Sequence, residues 1–89
     1  MTLTRFWFTF YLTLRDPHPA GVLMGCGVTA VGKEDGLGIL RERVFANYRF
    51  PEVKNTVTDV DISKLDQSHV RPNMGDPSQR GVWFPLGYA

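Results

Sequence analysis

From Arg5 to Arg15 the chain reads Arg-Phe-Trp-Phe-Thr-Phe-Tyr-Leu-Thr-Leu-Arg, with Phe6, Phe8, Phe10, Leu12 and Leu14 on one side of a period of two and Trp7, Thr9, Tyr11 and Thr13 on the other. Such alternation in aromatic and β-branched residues predicts a strand with one buried face. Burying the phenylalanine side contributes up to about 10 kcal/mol, comparable to the net stability of a small domain. Arg15 to Gly21, with Pro17 and Pro19, predicts a connection. Alternation then resumes, with Val22, Met24, Cys26, Val28 and Ala30 against Leu23, Gly25, Gly27, Thr29 and Val31. In this second strand Gly25 and Gly27 leave bare backbone over which Trp7 or Tyr11 of a neighbouring strand can lie, and Cys26 belongs to the core.

Between Gly32 and Asn47 the period changes, because Leu37, Leu40 and Val44 recur at three and four with Phe45 beside them, which predicts one amphipathic helix. Glu34 and Asp35 stand in its first turn, Arg41 and Arg43 near its end, and Asn47 is a C-terminal stop. Gly36 and Gly38 each weaken it by about 1 kcal/mol relative to alanine, so docking must supply its stability. Tyr48 to Lys54 reads as a loop held by Pro51. Thr56 to Ile62 alternates again as a third strand, with Thr58, Val60 and Ile62 against Val57, Asp59 and Asp61. Beyond Ser63 periodicity disappears, and only Val82-Trp83-Phe84 reads as a short edge strand.

The pattern predicts a small α+β domain spanning 1–89: an antiparallel or mixed sheet of three to four strands with one helix on one face, in β-β-α-β order, and an irregular C-terminal segment over 64–89. The longest strand is central, the second and third flank it antiparallel, and the strand-helix-strand connection is a right-handed crossover. The sheet face bearing Trp7 and Tyr11 is left to the C-terminal segment with Trp83, Phe84 and Tyr88, or to another molecule.

A chain of 89 residues holds one core and excludes a two-domain enzyme. A net charge of +1 removes the electrostatic argument for a phosphate-tracking surface. One cysteine makes no internal disulfide, which favours a reducing, cytoplasmic setting. The threonine-broken start, with no small-residue cleavage site after it, is a strand rather than a signal peptide, and no stretch approaches the roughly 20 apolar residues of a membrane span.

Candidate chemistry is sparse. Gly27 to Lys33 fits the first seven positions of a phosphate-binding loop, but Glu34 stands where a hydroxyl should hold magnesium, and Val28, Thr29 and Val31 favour a strand. The glycine spacing of Gly25 to Ala30 fits a dinucleotide fingerprint no better. Asp59, Asp61 and Asp66 fail as a calcium loop at Lys64 and Val70, and read as a solvated strand face. Cys26, His18 and His69 match no metal spacing, and no cofactor, metal or catalytic residue is assigned. The most distinctive stretch is 69–85, a long aperiodic loop. As a site it would use Arg71 and Arg80 on a carboxylate or phosphate, Asn73 for hydrogen bonds and Trp83 as an aromatic anchor, with His69 joining Arg71 and Arg80 if the loop binds a small ligand or hydrolyses one.

These features favour a non-enzymatic interaction protein whose open face, centred on Trp7 and Tyr11, and whose C-terminal segment bind a protein partner or a second copy of the chain. Stacking of single-stranded nucleic acid on the same rings is the alternative that near-neutral charge opposes. A small ligand-binding protein or hydrolase using the 69–84 loop is the third.

Overall fold

A computed structural model describes residues 2–68 and 70–85. Four strands, β1 (Thr4–Phe10), β2 (Cys26–Ala30), β3 (Val53–Thr58) and β4 (Gly81–Phe84), form one sheet in the order β3-β1-β2-β4, with every neighbouring pair antiparallel. The phenylalanine strand is central, and β2 and β3 flank it as the alternation requires. One helix, α1 (Lys33–Arg43), connects β2 to β3. The predicted α+β class is therefore the observed one.

The sheet separates two apolar clusters. On one face Phe6, Phe8 and Phe10 join Cys26, Val28 and Ala30 under Ile39, Leu40 and Phe45. Gly36 explains why a weak helix docks so closely: a Cβ there would lie 3.2 Å from Val28 Cγ1 and 3.6 Å from the Ala30 Cβ, so the missing side chain lets α1 sit on β2. The helix ends at Arg43 and is closed by Val44 and Phe45, whose N–H groups both donate to Leu40 O. Asn47, expected as the stop, lies beyond that closure.

On the other face Trp7 packs with Val60, Val70, Trp83 and Phe84, flanked by Met24, Ile62, Leu65 and Met74. The C-terminal segment is thus the cover of this face, carried by two single 3-10 turns, Ile62–Lys64 and Arg71–Asn73. Trp7 lies over Gly25 as expected, whereas the bare backbone of Gly27 is covered by Trp83 of the C-terminal segment rather than by Tyr11.

Several boundaries differ from simple alternation, each for a local reason. The second strand begins only at Cys26, because Met24 N–H and Gly25 N–H close turns onto Gly21 O and Val22 O and Gly25 takes φ +129°. Met24 consequently joins the tryptophan side rather than the Cys26 row. The third strand starts at Val53 and ends at Thr58, and Asp59 then adopts φ +60° in the left-handed region, turning Val60 into the tryptophan cluster. Val60 is held there by its N–H donating to Arg5 O at 3.2 Å and by Arg5 Nε donating to Val60 O at 3.1 Å. Asp59 and Asp61 therefore do not share a strand face.

Candidate functional site

The predicted open face is filled from within. Trp7 is 8% exposed and Trp83 fully buried; their ring centroids are 5.8 Å apart, and Trp7 lies 5.5 Å from Phe84. The β2–β4 register skips Trp83 between Val82 and Phe84, a bulge that lets two adjacent rings enter one cluster, which strict alternation forbids. Trp7 and Trp83, expected as contact residues, are therefore core residues of the chain itself. Among the described residues, the β3 margin of that face stays open at Val57, which is 46% exposed.

The long loop is tied to the sheet and helix at several points. Arg80 grips Asp35 at the start of α1 in two parallel bonds, Nε to Oδ2 at 3.0 Å and Nη2 to Oδ1 at 2.5 Å, the fork geometry proper to an arginine and a carboxylate. Asp35 also reaches back to accept the Val31 N–H at 3.1 Å. Arg80 first and the Val31 amide second hold its carboxyl below the usual aspartate range. The carboxylate that Arg80 recognises is thus one of the chain's own. Thr29 Oγ1 donates to Pro77 O at 2.6 Å, and Gly75 N–H donates to Trp83 O at 2.7 Å.

Short turns stiffen the segment between these ties. In Asp61-Ile62-Ser63 and Asp76-Pro77-Ser78 one carboxylate oxygen accepts from both the N–H and the hydroxyl of the serine, and in Asp66-Gln67-Ser68 it accepts from the N–H. Hydrogen bonds from the serine hydroxyls and amides stabilise the carboxylates and hold the Asp61 and Asp76 carboxyls below the usual aspartate range. An Asp-x-Ser repeat is visible in the sequence and is the signal that orders an aperiodic stretch. Arg71 and Asn73 share one 3-10 turn, while Trp83 faces inward and does not join them in a pocket. His69 and Tyr88 lie outside the described residues.

Cys26 is buried without a partner thiol, and burial pushes its thiol far up, away from the reactive thiolate. Among the described residues no three metal-binding side chains assemble. Ala30 completes β2 and Lys33 opens α1, so Gly27 to Lys33 is strand and junction rather than a phosphate cradle. No helix among the described residues is long and apolar enough to cross a membrane.

A concave site does exist, at the end of the molecule where β1 stops and β3 starts. It is a cleft of about 530 Å³ between the 11–17 and 49–52 segments, with Tyr11, Leu12, Pro17, Phe50 and Pro51 as apolar walls and Asp16, Arg49 and Glu52 at its rim. Tyr11 N–H donates to Glu52 O at 2.9 Å and joins the two walls. Phe50 is fixed edge-on against Phe10 and Phe45, with the Arg41 guanidinium carbon 4.8 Å from its ring centre. Opposite, Asp16 Oδ2 accepts from Thr13 N–H at 2.8 Å and from Thr13 Oγ1 at 3.2 Å, shaping a tight turn. This turn replaces the predicted last residues of the first strand and leaves Leu14 84% exposed, with Tyr11 61% exposed beside the cleft. Of the predicted contact residues, Tyr11 is the one that lines it. The proximity of Pro17 to Pro51 could not be read from a chain in which they stand far apart.

Compared with known proteins, the chain matches no family model, and no curated protein or solved structure is significantly similar to it.

Proposed function

We propose that the chain is a non-enzymatic protein-interaction module whose contact surface is the cleft end, with Tyr11 as its aromatic anchor. The observation that carries this reading is the exposure of Tyr11 and Leu14 at a preformed cleft that combines apolar side chains with charged residues of both signs. Phe50, locked by two rings and an arginine, gives the cleft a firm floor, and a preordered surface loses little entropy on binding. The surface thus moves from the centre of the sheet, where Trp7 is covered, to its end. Stacking of single-stranded nucleic acid loses its platform with the burial of Trp7 and Trp83.

The test is a photo-reactive p-benzoylphenylalanine in place of Tyr11, with the same replacement at exposed Glu34 on α1 as control, irradiated in the cells that make the protein. Protein-sized adducts from position 11 and none from position 34 are expected. Absence of adducts from position 11, or equal adducts from both positions, overturns the proposal.

A further inference from the structure

We infer that the partner of the cleft is a second copy of the chain, paired about a two-fold axis with Leu14 of each copy seated in the cleft of the other. This rests on the interaction surface proposed above and names its occupant.

The cleft end carries both halves of a reciprocal contact. Leu14 is the most exposed large apolar side chain among the described residues, and it sits in the 11–17 segment without lining the cleft. It projects from the Thr13–Asp16 turn, which is closed by the bonds from Thr13 to Asp16 Oδ2 and by the Asp16 N–H donating to Thr13 O at 3.1 Å. A knob and a hole on one patch, offset from each other, meet the requirement of an isologous interface that each element contacts its complement in the other copy. A cleft of about 530 Å³ has room for a leucine side chain and part of its turn.

Charge points the same way. Arg15 follows the knob and is exposed, while two of the three charged residues on the cleft rim, Asp16 and Glu52, are acidic. Inserting Leu14 brings Arg15 of one copy to the acidic rim of the other, and two-fold symmetry makes that pairing twice. A net charge of +1 gives little repulsion between copies. A standard interface of about 800 Å² per partner would take roughly one-seventh of the chain's 5664 Å² accessible surface.

The test is mass by light scattering on the purified full chain across a dilution series. A species of twice the 10.1 kDa chain mass is expected at high concentration. Leu14→Glu should weaken that species at least about tenfold, since it removes a buried leucine from each side. Arg15→Glu and Glu52→Arg should each weaken it, and the double exchange should restore it. Unchanged tryptophan fluorescence in each variant shows that the fold is intact, because both tryptophans lie in the opposite cluster. A monomer at every concentration, or a dimer that Leu14→Glu leaves intact, overturns self-pairing. If the chain is monomeric yet position 11 still cross-links to other proteins, the interaction surface stands and only its self-pairing falls; if position 11 yields no adduct, both fall.

Discussion

The two faces of the sheet are covered by different means, and the contrast separates what periodicity can encode from what it cannot. On the phenylalanine face a regular helix supplies Ile39 and Leu40, and Gly36 sets how closely it approaches. On the tryptophan face the cover has almost no regular structure: two 3-10 turns, a bulged edge strand and an arginine clamp place Val60, Val70, Trp83 and Phe84 on Trp7. Both covers bury large rings, but the first is one regular helix, whereas the second combines the short β4 ladder and isolated backbone bonds with side-chain ties to the sheet and helix.

The comparison breaks most sharply at Trp83. Trp83→Ala should cost about 3–5 kcal/mol, as much as truncating a core residue under the helix. Denaturant unfolding decides it, and a loss under about 1 kcal/mol would make the irregular cover a dispensable flap. Next comes Gly27→Ala, whose added methyl would fall inside the space held by the Trp83 ring; a loss of about 1–3 kcal/mol is expected. The helix-side counterpart should be milder. At Gly36 a Cβ meets Val28 Cγ1 at 3.2 Å, so the cost of crowding is set against a gain in helix propensity of about 1 kcal/mol, leaving Gly36→Ala within about 1 kcal/mol of the parent.

Opposite in sign, Gly38→Ala should stabilise by up to about 1 kcal/mol, since nothing lies within 4 Å of the new methyl, and the thermal midpoint should rise accordingly. The last test is acid. The carboxyls of Asp35, Asp61 and Asp76 are depressed in the folded chain, so their contribution is present above the ordinary aspartate value of 3.8 and is lost as pH falls through their lower folded values. Because these groups belong to the irregular cover or its clamp, acid titration should loosen the tryptophan face first, seen as a red shift in emission before helical circular dichroism is lost. Simultaneous loss of both signals would mean that the two covers unfold as one unit.

Much of the fold was legible in residue spacing. The phenylalanine row, the period change at Gly32 and the bare backbone at Gly25 and Gly27 each act through near neighbours, and each led to a strand, a helix or a ring seat that the structure contains. The irregular cover was legible only as a possibility, because the bonds that decide it join distant residues: Arg80 to Asp35, Thr29 to Pro77 and Arg5 to Val60. Alternation failed where a single residue broke the period. Asp59 in the left-handed region and the bulge at Trp83 each reverse the face that later side chains occupy. The candidate site was the least legible part, since its walls come from segments separated by an entire strand and helix.

By itself, then, the sequence determined the central strand, its two flanking strands, the helix and the apolar face they share, because hydrophobic periodicity is a local property that any docking must satisfy. Only the tertiary structure decided that the chain covers its own tryptophan face, that Arg80 is a clamp, and that Tyr11 and Leu14 stand beside a cleft. The physical reason is that chain reversals, bulges and long-range hydrogen bonds set these features, and none of them leaves a period in the sequence.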